Sequence, residues 1–538
     1  MSLGPGGAAR NSDEAAGVQS LMSKRTAARV ARPAGIQGYV RKRRVIALVL
    51  PIIALMVLDP DSAYLALQAH DARFDGRLFV GVTSTGVYCR PVCRVRTPKR
   101  ENCRFFATPA QAEADAFRPC LKCRPEVAPG YSLFDSSQAL AHSAARFIEK
   151  SVHEGEPLAM PALAARLGVT DRHLRRIFQA SHGVSPVDYL TTQRLLLAKQ
   201  LLTDTEQPVT QIALASGFDS LRRFNAAFAE RYRLNPTQLR RERGTAPSND
   251  NILLRLAYRP PYDVAATLGF FARRQIEGVE QIGADSLRRT IAPTHRGIRL
   301  SGWFSARFVA DRNEVHLSVS PSLGPALGVV MQRVRQALDL DADPTLIDPV
   351  LESLPIPPCP GMRLPNGMDG FEVAVRVILG QQVTVKAART LIQRLVDRYG
   401  EPVETPFPGL DRIFPTAAIL AAADPETLGK LGIVRTRVGA MQKLAALVAS
   451  GELSLHRHAP LDSTLDTLRA LPGIGEWTAQ VIAMRALAWP DAFPASDIGI
   501  YNALGTRDPK AALQLAEGWR PWRAYAVMRL WHHLETST

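Results

Sequence analysis

Cysteine is scarce in this chain, with six in 538 residues, so a disulfide framework holding the whole molecule together is excluded. Long apolar runs are also missing. The conspicuous one, "VIALVLPIIALMVL" from Val45 to Leu58, has fourteen residues, against the roughly 20 that a membrane-spanning helix needs. Negative charge is in short supply: 50 Asp and Glu stand against 66 Lys and Arg, a net charge of +16. That balance argues for a polyanionic partner, with nucleic acid ahead of an anionic membrane surface. Proline and glycine do not gather into tracts, which excludes low-complexity and collagen-like classes. The 46% hydrophobic content suits folded domains, and the length is too great for one core, so three or four domains are expected.

The first 58 residues differ from the rest. A Gly/Ala/Arg-rich stretch runs through "RKRR" (Arg41 to Arg44) into the apolar run, which has the order of a signal segment but too long a basic part and no clean small-residue cleavage site. Residues 1–58 are expected to be an unstructured extension, with Met56 the natural beginning.

Five of the six cysteines fall between Cys89 and Cys123. Cys89 and Cys93 form a C-x3-C pair and Cys120 and Cys123 a C-x2-C pair. Two close pairs separated by a loop are what one tetrahedral Zn²⁺ needs. A disulfide pairing is the rival, disfavoured because nothing directs the chain to an oxidising compartment. Cys103 in "RENCRFF" reads as a small buried residue, and the isolated Cys359 in "PPCPG" as structural. Four thiolates around one Zn²⁺ leave a net negative site, and Arg90, Arg94, Arg96, Lys99, Arg100, Arg104, Arg118, Lys122 and Arg124 are placed to offset its repulsion of phosphate. A structural zinc knob with a basic rim is the plain alternative.

The stretches "STGVYCRPVC", "RENCRFF" and "FRPCLKCRP" resemble the methylphosphotriester-accepting zinc domain of Ada-type DNA alkylation repair proteins, over residues 59–129. That resemblance implies that Cys89 takes a methyl group irreversibly from DNA. A metal-held sulfur is a thiolate, the nucleophilic form, and its methylation removes one negative charge and so tightens DNA binding.

Two approximate copies of a helix, a glycine turn and an arginine-bearing second helix follow: "PALAARLGVTDRHLRRIFQASHGVSP" (Pro161 to Pro186) and "QIALASGFDSLRRFNAAFAERYRLNP" (Gln211 to Pro236). Leu163, Leu167, Leu174, Ile177 and Phe178 are the expected core of the first, and Ile212, Ala213, Phe218, Phe224 and Phe228 of the second. The pattern resembles the AraC-type double helix-turn-helix, over residues 131–244. Arg172, His173, Arg176, Arg222 and Arg223 avoid the apolar stripe and are nominated to face the major groove. Arg233 stands where the family often has glycine.

In the second half, "LPGIGEWTAQ" (Leu471 to Gln480) has the mechanics of a helix-hairpin-helix: Gly473 and Gly475 let the backbone approach a phosphate, and the following helix offers its free N–H groups. Arg469 and Arg485 are expected to assist. "PPYDVAATLGFFARR", "RLPNGMDGFE", "GFEVAVRVILGQQVTVKAARTL" and "RPWRAYAVMRLW" resemble the AlkA-type 3-methyladenine DNA glycosylases, over residues 252–534. The resemblance implies that Asp497 is the catalytic carboxylate, stabilising positive charge on the deoxyribose or orienting the attacking water. It also implies that Trp477 and Trp531 line the pocket for an everted base, and that Gln382 sits at the wedge position where a leucine can fill the vacated stack. The lysine of strand-cleaving relatives is replaced by Trp477, which implies a monofunctional enzyme. Family hairpins can also hold a monovalent cation on backbone carbonyls. No "PCHR" motif is present, so reversal of O6-alkylguanine is not expected.

The expected architecture is multidomain, mainly α with α+β parts. It comprises a four-cysteine zinc domain (59–130), an AraC-type helix-turn-helix domain (131–245), a mixed α/β subdomain (250–340) and a helix-hairpin-helix glycosylase domain (341–538). The expected partner is double-stranded DNA, alkylated and promoter, with RNA polymerase. By resemblance the protein is a monomer in the bacterial cytoplasm, with no membrane association. The alternative is a transcription regulator whose glycosylase-like half only binds DNA.

Overall fold

The computed structural model describes residues 60–129, 139–155, 157–242 and 252–537. The expected extension 1–58, its apolar run and most of the 240–251 linker lie outside the described residues. No helix among the described residues is long and apolar enough to cross a membrane.

The first module is a small four-stranded sheet in the order Cys103–Phe106, Phe79–Val82, Val87–Cys89, Arg118–Pro119. The first three strands pair antiparallel, with Val80 opposite Cys89, and the fourth lies parallel to Val87–Cys89. Two tiny apolar clusters flank this sheet. A module with so small a core needs another staple, which the cysteine cluster is placed to provide.

Two helix-turn-helix units come next. In the first, Thr170 caps Asp171–His182 by accepting from the His173 N–H at 3.2 Å, and Gly183 ends the helix at φ 73°. In the second, Ser220 caps Leu221–Tyr232 in the same way at 3.2 Å, but the terminating residue is Arg233 at φ 55°. The departure noted in the sequence therefore leaves the turn intact, with a side-chained residue held in the left-handed region that favours glycine. Leu163, Leu174, Phe178, Ile212, Ala213, Phe218, Phe224 and Phe228 are buried as expected, while Leu167 and Ile177 are half-buried.

The C-terminal half opens with a five-stranded antiparallel sheet, ordered Ile252–Ala257, Glu314–Val319, Gly302–Val309, Ser286–Ile291, Glu280–Ile282. Helices follow to the end, carrying the largest buried cluster. The modules are not strung loosely: one continuous apolar core runs from Ala110 in the cysteine module through both helix-turn-helix units to the five-stranded sheet. Close approach confirms the fit, since a Cβ added to Gly328 would lie 2.6 Å from the His153 carbonyl oxygen. Buried ion pairs cross the same seams: Lys199 Nζ meets Glu126 at 2.6 Å, Arg124 meets Asp204, and Arg77 meets Asp343.

Candidate functional sites: a four-sulfur cluster and a carboxylate held by two indoles

The sulfurs of Cys89, Cys93, Cys120 and Cys123 all lie within 4.8 Å of one another. Local backbone brings them there. Cys89 ends a strand, the Cys93 N–H closes a turn onto the Arg90 carbonyl at 3.2 Å, and the Cys120 N–H reaches the Tyr88 carbonyl at 2.9 Å. Four thiol sulfurs and no competing oxygen or nitrogen ligand fit one tetrahedral Zn²⁺. Cys103 and Cys359 stand apart, each directing its thiol to a backbone carbonyl at 3.3 Å; Cys103 is buried as expected and Cys359 is half-buried.

The arginines around the cluster divide into two kinds. Arg94, Arg96 and Lys122 are exposed and form no ion pair among the described residues, so they suit a DNA-facing rim. Arg90 and Arg124 do not belong to that rim. Arg90 is buried, with its Nε 2.8 Å from Asp75, its Nη1 3.0 Å from the Cys123 carbonyl and its backbone N–H 3.3 Å from the Cys123 sulfur. Arg124 turns inward to Glu126 and Asp204. The sequence counted charges without knowing which way they pointed; Arg90 instead orients a sulfur ligand from behind.

On the helix-turn-helix, Arg172, Arg176, Arg222 and Arg223 are exposed on the second helices. His173 is half-buried, and its Nδ1 lies 3.3 Å from Arg176, so the two act as one polar unit.

In the C-terminal half, Asp497 caps the helix Ile498–Leu504 and is 7% exposed. Its Oδ2 accepts from Trp477 Nε1 at 2.8 Å, and its Oδ1 from Trp531 Nε1 at 2.9 Å and the Ile500 N–H at 3.0 Å. Three N–H donors thus converge on one carboxylate. Since each carboxylate oxygen offers about two acceptor sites, Oδ2 keeps one for a further partner. Sequence reasoning paired the two tryptophans with the base pocket; the structure adds that their N–H edges hold the carboxylate. Both indoles are half-buried, leaving part of each ring open. Gly499 makes the arrangement possible, because a Cβ there would lie 2.9 Å from Trp531 Cδ1 and 3.0 Å from Asp497 Oδ1.

The hairpin has the expected backbone. Gly473 sits at φ 88° against Ala440, and Gly475 opens the helix Glu476–Arg485 with free space around its Cα. The two supporting arginines are otherwise engaged. Arg469 forms a fork on Glu476, at 2.7 and 3.0 Å, and this ion pair holds the Glu476 carboxyl below its ordinary pKa. Arg485 packs over Phe270 and donates to the Pro365 carbonyl at 2.8 Å. Neither guanidinium is therefore free to serve as a phosphate ligand at the hairpin.

Gln382 is exposed at the tip between the helices Gly370–Leu379 and Val385–Tyr399, with φ 51°. Its neighbour Gln381 was not anticipated. The Gln381 Nε2 donates to the Gly473 carbonyl at 2.9 Å and to Thr478 Oγ1 at 2.8 Å, while Arg437 donates to the Gln381 carbonyl. The doubled glutamine of "GQQVT" was the only signal for it, and nothing local distinguishes the two residues.

Comparison with known proteins matches four family descriptions along the chain: "Metal binding domain of Ada" over 62–126, "Helix-turn-helix domain" over 163–242, "AlkA N-terminal domain" over 253–369 and "HhH-GPD superfamily base excision DNA repair protein" over 375–507. The probable bifunctional transcriptional activator/DNA repair enzyme AlkA of Mycobacterium tuberculosis is 37% identical over 493 residues, covering 89% of this chain and 97% of that protein. DNA-3-methyladenine glycosylase 2 of Escherichia coli is 34% identical over 278 residues, 52% of this chain and 96% of that one. The bifunctional transcriptional activator/DNA repair enzyme Ada of Escherichia coli is 33% identical over 161 residues, 30% of this chain and 43% of that one. With its Ada-type metal-binding and helix-turn-helix modules ahead of an AlkA-type glycosylase region, this chain belongs to the family of bifunctional transcriptional activator/DNA repair enzymes.

Proposed function

We propose that this protein repairs alkylated DNA by two separate chemistries and uses one of them to switch on transcription. The observation that carries the glycosylase reading is the carboxylate of Asp497 held by two indole N–H groups beside a DNA-binding hairpin. The hairpin backbone grips the strand, Gln382 enters the stack, and the alkylated base turns out beside the open indole faces, where a cationic purine is attracted to electron-rich rings. As the N-glycosidic bond breaks, its electron pair leaves with the base and positive charge grows on the sugar. Asp497, presenting the remaining site on Oδ2, stabilises that charge or takes a proton from the attacking water. An alkylated base such as 3-methyladenine is the substrate, and with Trp477 where a lysine nucleophile would stand, the product is an abasic site. A monovalent cation on the hairpin carbonyls would add to the strand grip.

The second chemistry belongs to the cysteine module. Zn²⁺, when bound to Cys89, Cys93, Cys120 and Cys123, keeps the sulfurs as thiolates at neutral pH. The Cys89 sulfur attacks the methyl carbon of a DNA methylphosphotriester, an S–CH₃ bond forms, the C–O bond breaks, and its electron pair stays on the phosphodiester oxygen. One thiolate becomes a neutral thioether, so repulsion of the DNA backbone falls. Arg94, Arg96 and Lys122 form the rim that then holds the duplex, with Arg172, His173, Arg176, Arg222 and Arg223 in the groove. The activated protein works in the bacterial cytoplasm as a monomer that engages RNA polymerase. Purified protein incubated with methylated DNA is expected to release 3-methyladenine and to gain one methyl mass on the peptide holding Cys89. Absence of base release would leave only passive DNA binding for the C-terminal half, and absence of the mass gain would remove the switch.

A further inference from the structure

The three modules do not close completely against one another. Between them lies a cavity of about 420 Å³, within the ~300–1,000 Å³ typical of small-molecule sites. Its wall takes Phe79 and Glu126 from the cysteine module, Arg146 and His182 from the helix-turn-helix module, and Arg457 and His458 from the glycosylase half.

The wall is rich in charged groups, with Arg146, Arg335 and Arg457 beside Glu126, Glu149 and Asp341. Arg146 meets no carboxylate within 4 Å among the described residues, and its hydrogen bond is to Ser143 Oγ at 3.3 Å. Arg457 Nη1 stands 4.0 Å from Asp341 Oδ2, on a carboxylate whose Oδ1 accepts from Arg335 Nε at 3.1 Å. Glu149 accepts from the Tyr189 hydroxyl at 2.6 Å, and Glu126 is satisfied by Lys199 and Arg124. Three buried donor or acceptor atoms on this wall lack any hydrogen-bond partner: Arg457 Nε, His458 Nε2 and His182 Nδ1. His182 is 4% exposed and stacks on Phe178, so its free nitrogen cannot turn to bulk water. Burial and then the Arg457 charge pull Arg146 down to about 10 against the opposing Glu149 carboxylate, and burial with Arg457 and His456 keeps His458 neutral well below its usual range.

Arg146, with no ion pair among the described residues, and Arg457, with only the long contact to Asp341, carry like charges that oppose each other across a module seam, and a bidentate oxyanion is a group that would satisfy both. The volume is larger than one such ion needs, and apolar Phe79, Leu196, Leu256 and Met331 line the remainder. We propose that this inter-module cavity binds a small phosphomonoester of about mononucleotide size, its phosphate between Arg146 and Arg457 and its apolar part against the sheet side. Bound there, it ties the regulatory modules to the glycosylase half. Neither Asp497 nor Cys89 lies on the cavity wall.

The test is thermal unfolding and calorimetric titration of the full metal-loaded chain with AMP and, separately, inorganic phosphate. A saturable rise in the unfolding midpoint with AMP is expected. Arg146→Gln and Arg457→Gln should each weaken AMP by about tenfold or more, while leaving the ligand-free midpoint unchanged or higher, because one of two mutually opposing like charges has gone. Arg146→Lys keeps the charge but not the fork and should fall between wild type and Arg146→Gln. Inorganic phosphate binding as tightly as AMP would overturn the size assignment. An equal response in wild type and the glutamine variants, or no saturable response at all, would overturn the site and leave ordered water as its occupant.

Discussion

The cysteine cluster and the Asp497 site were built by opposite routes. The four sulfurs come from two short pairs within 35 residues of chain, and a strand end and two turns bring them within 4.8 Å of one another. The carboxylate depends on partners 20 and 34 residues away, Trp477 and Trp531, delivered by separate helices, and on Gly499 leaving room for the second indole. Metal chemistry announces itself because its ligand spacing is local. Carboxylate chemistry does not, because a lone aspartate acquires a role only from what surrounds it.

The sharpest way to break this comparison is to remove each group proposed to react. Asp497→Asn should lower excision of 3-methyladenine by roughly two to four orders of magnitude while the methyl gain on Cys89 persists. Cys89→Ser should do the reverse, and mass spectrometry with base-release assays reads both. If either variant lost both products, the two sites would be one system and the comparison would fail. A smaller effect tests the indoles. Trp477→Phe and Trp531→Phe keep an aromatic face, though a smaller one, and remove the N–H, and each should cost about tenfold in single-turnover excision, the worth of one hydrogen bond to a charged group. Loss in binding of alkylated DNA alone would mean that the rings matter and the N–H groups do not. Gln381→Ala should cost several-fold, about 1 kcal/mol, because the Gln382 loop loses its tie to the hairpin, and Gln381→Glu should not rescue it.

Two further outcomes concern stability. Glu113 is buried between modules, accepting from the Tyr88 and Thr192 hydroxyls at 3.0 Å each, and burial raises its pKa to about 7. A carboxyl raised from about 4.5 to about 7 on folding weakens the fold as pH climbs between those values. Glu113→Gln should therefore stabilise by an amount on the order of 2 kcal/mol at pH 8 and give no gain at pH 4, read by denaturant unfolding. Arg233→Gly should add about 1 kcal/mol, because the second helix-turn-helix unit ends on a side-chained residue at φ 55° where the first uses Gly183 at φ 73°. A loss instead would show that the Arg233 side chain has a task of its own.

The candidate sites were unevenly legible. All four cysteines and the two helix-turn-helix units could be located from spacing and apolar periodicity, since both signals lie within a few turns of chain. Side-chain direction could not. Arg90 and Arg124 look like rim charges in the sequence and are buried partners of Asp75 and Asp204. Arg469 and Arg485 look like phosphate ligands and are occupied by Glu476 and Pro365. Gln381 and Gln382 are adjacent and identical, yet one pins the hairpin and the other stands exposed.

By itself the sequence determined the order of the modules, the metal-binding sulfurs and the family, because each rests on residue types at short separations. The tertiary structure alone decided that the modules share one continuous apolar core, that two indoles grip Asp497, and that Arg146 and Arg457 line a cavity between the halves. Contacts between residues hundreds of positions apart are set by how surfaces fit, and no local pattern encodes them.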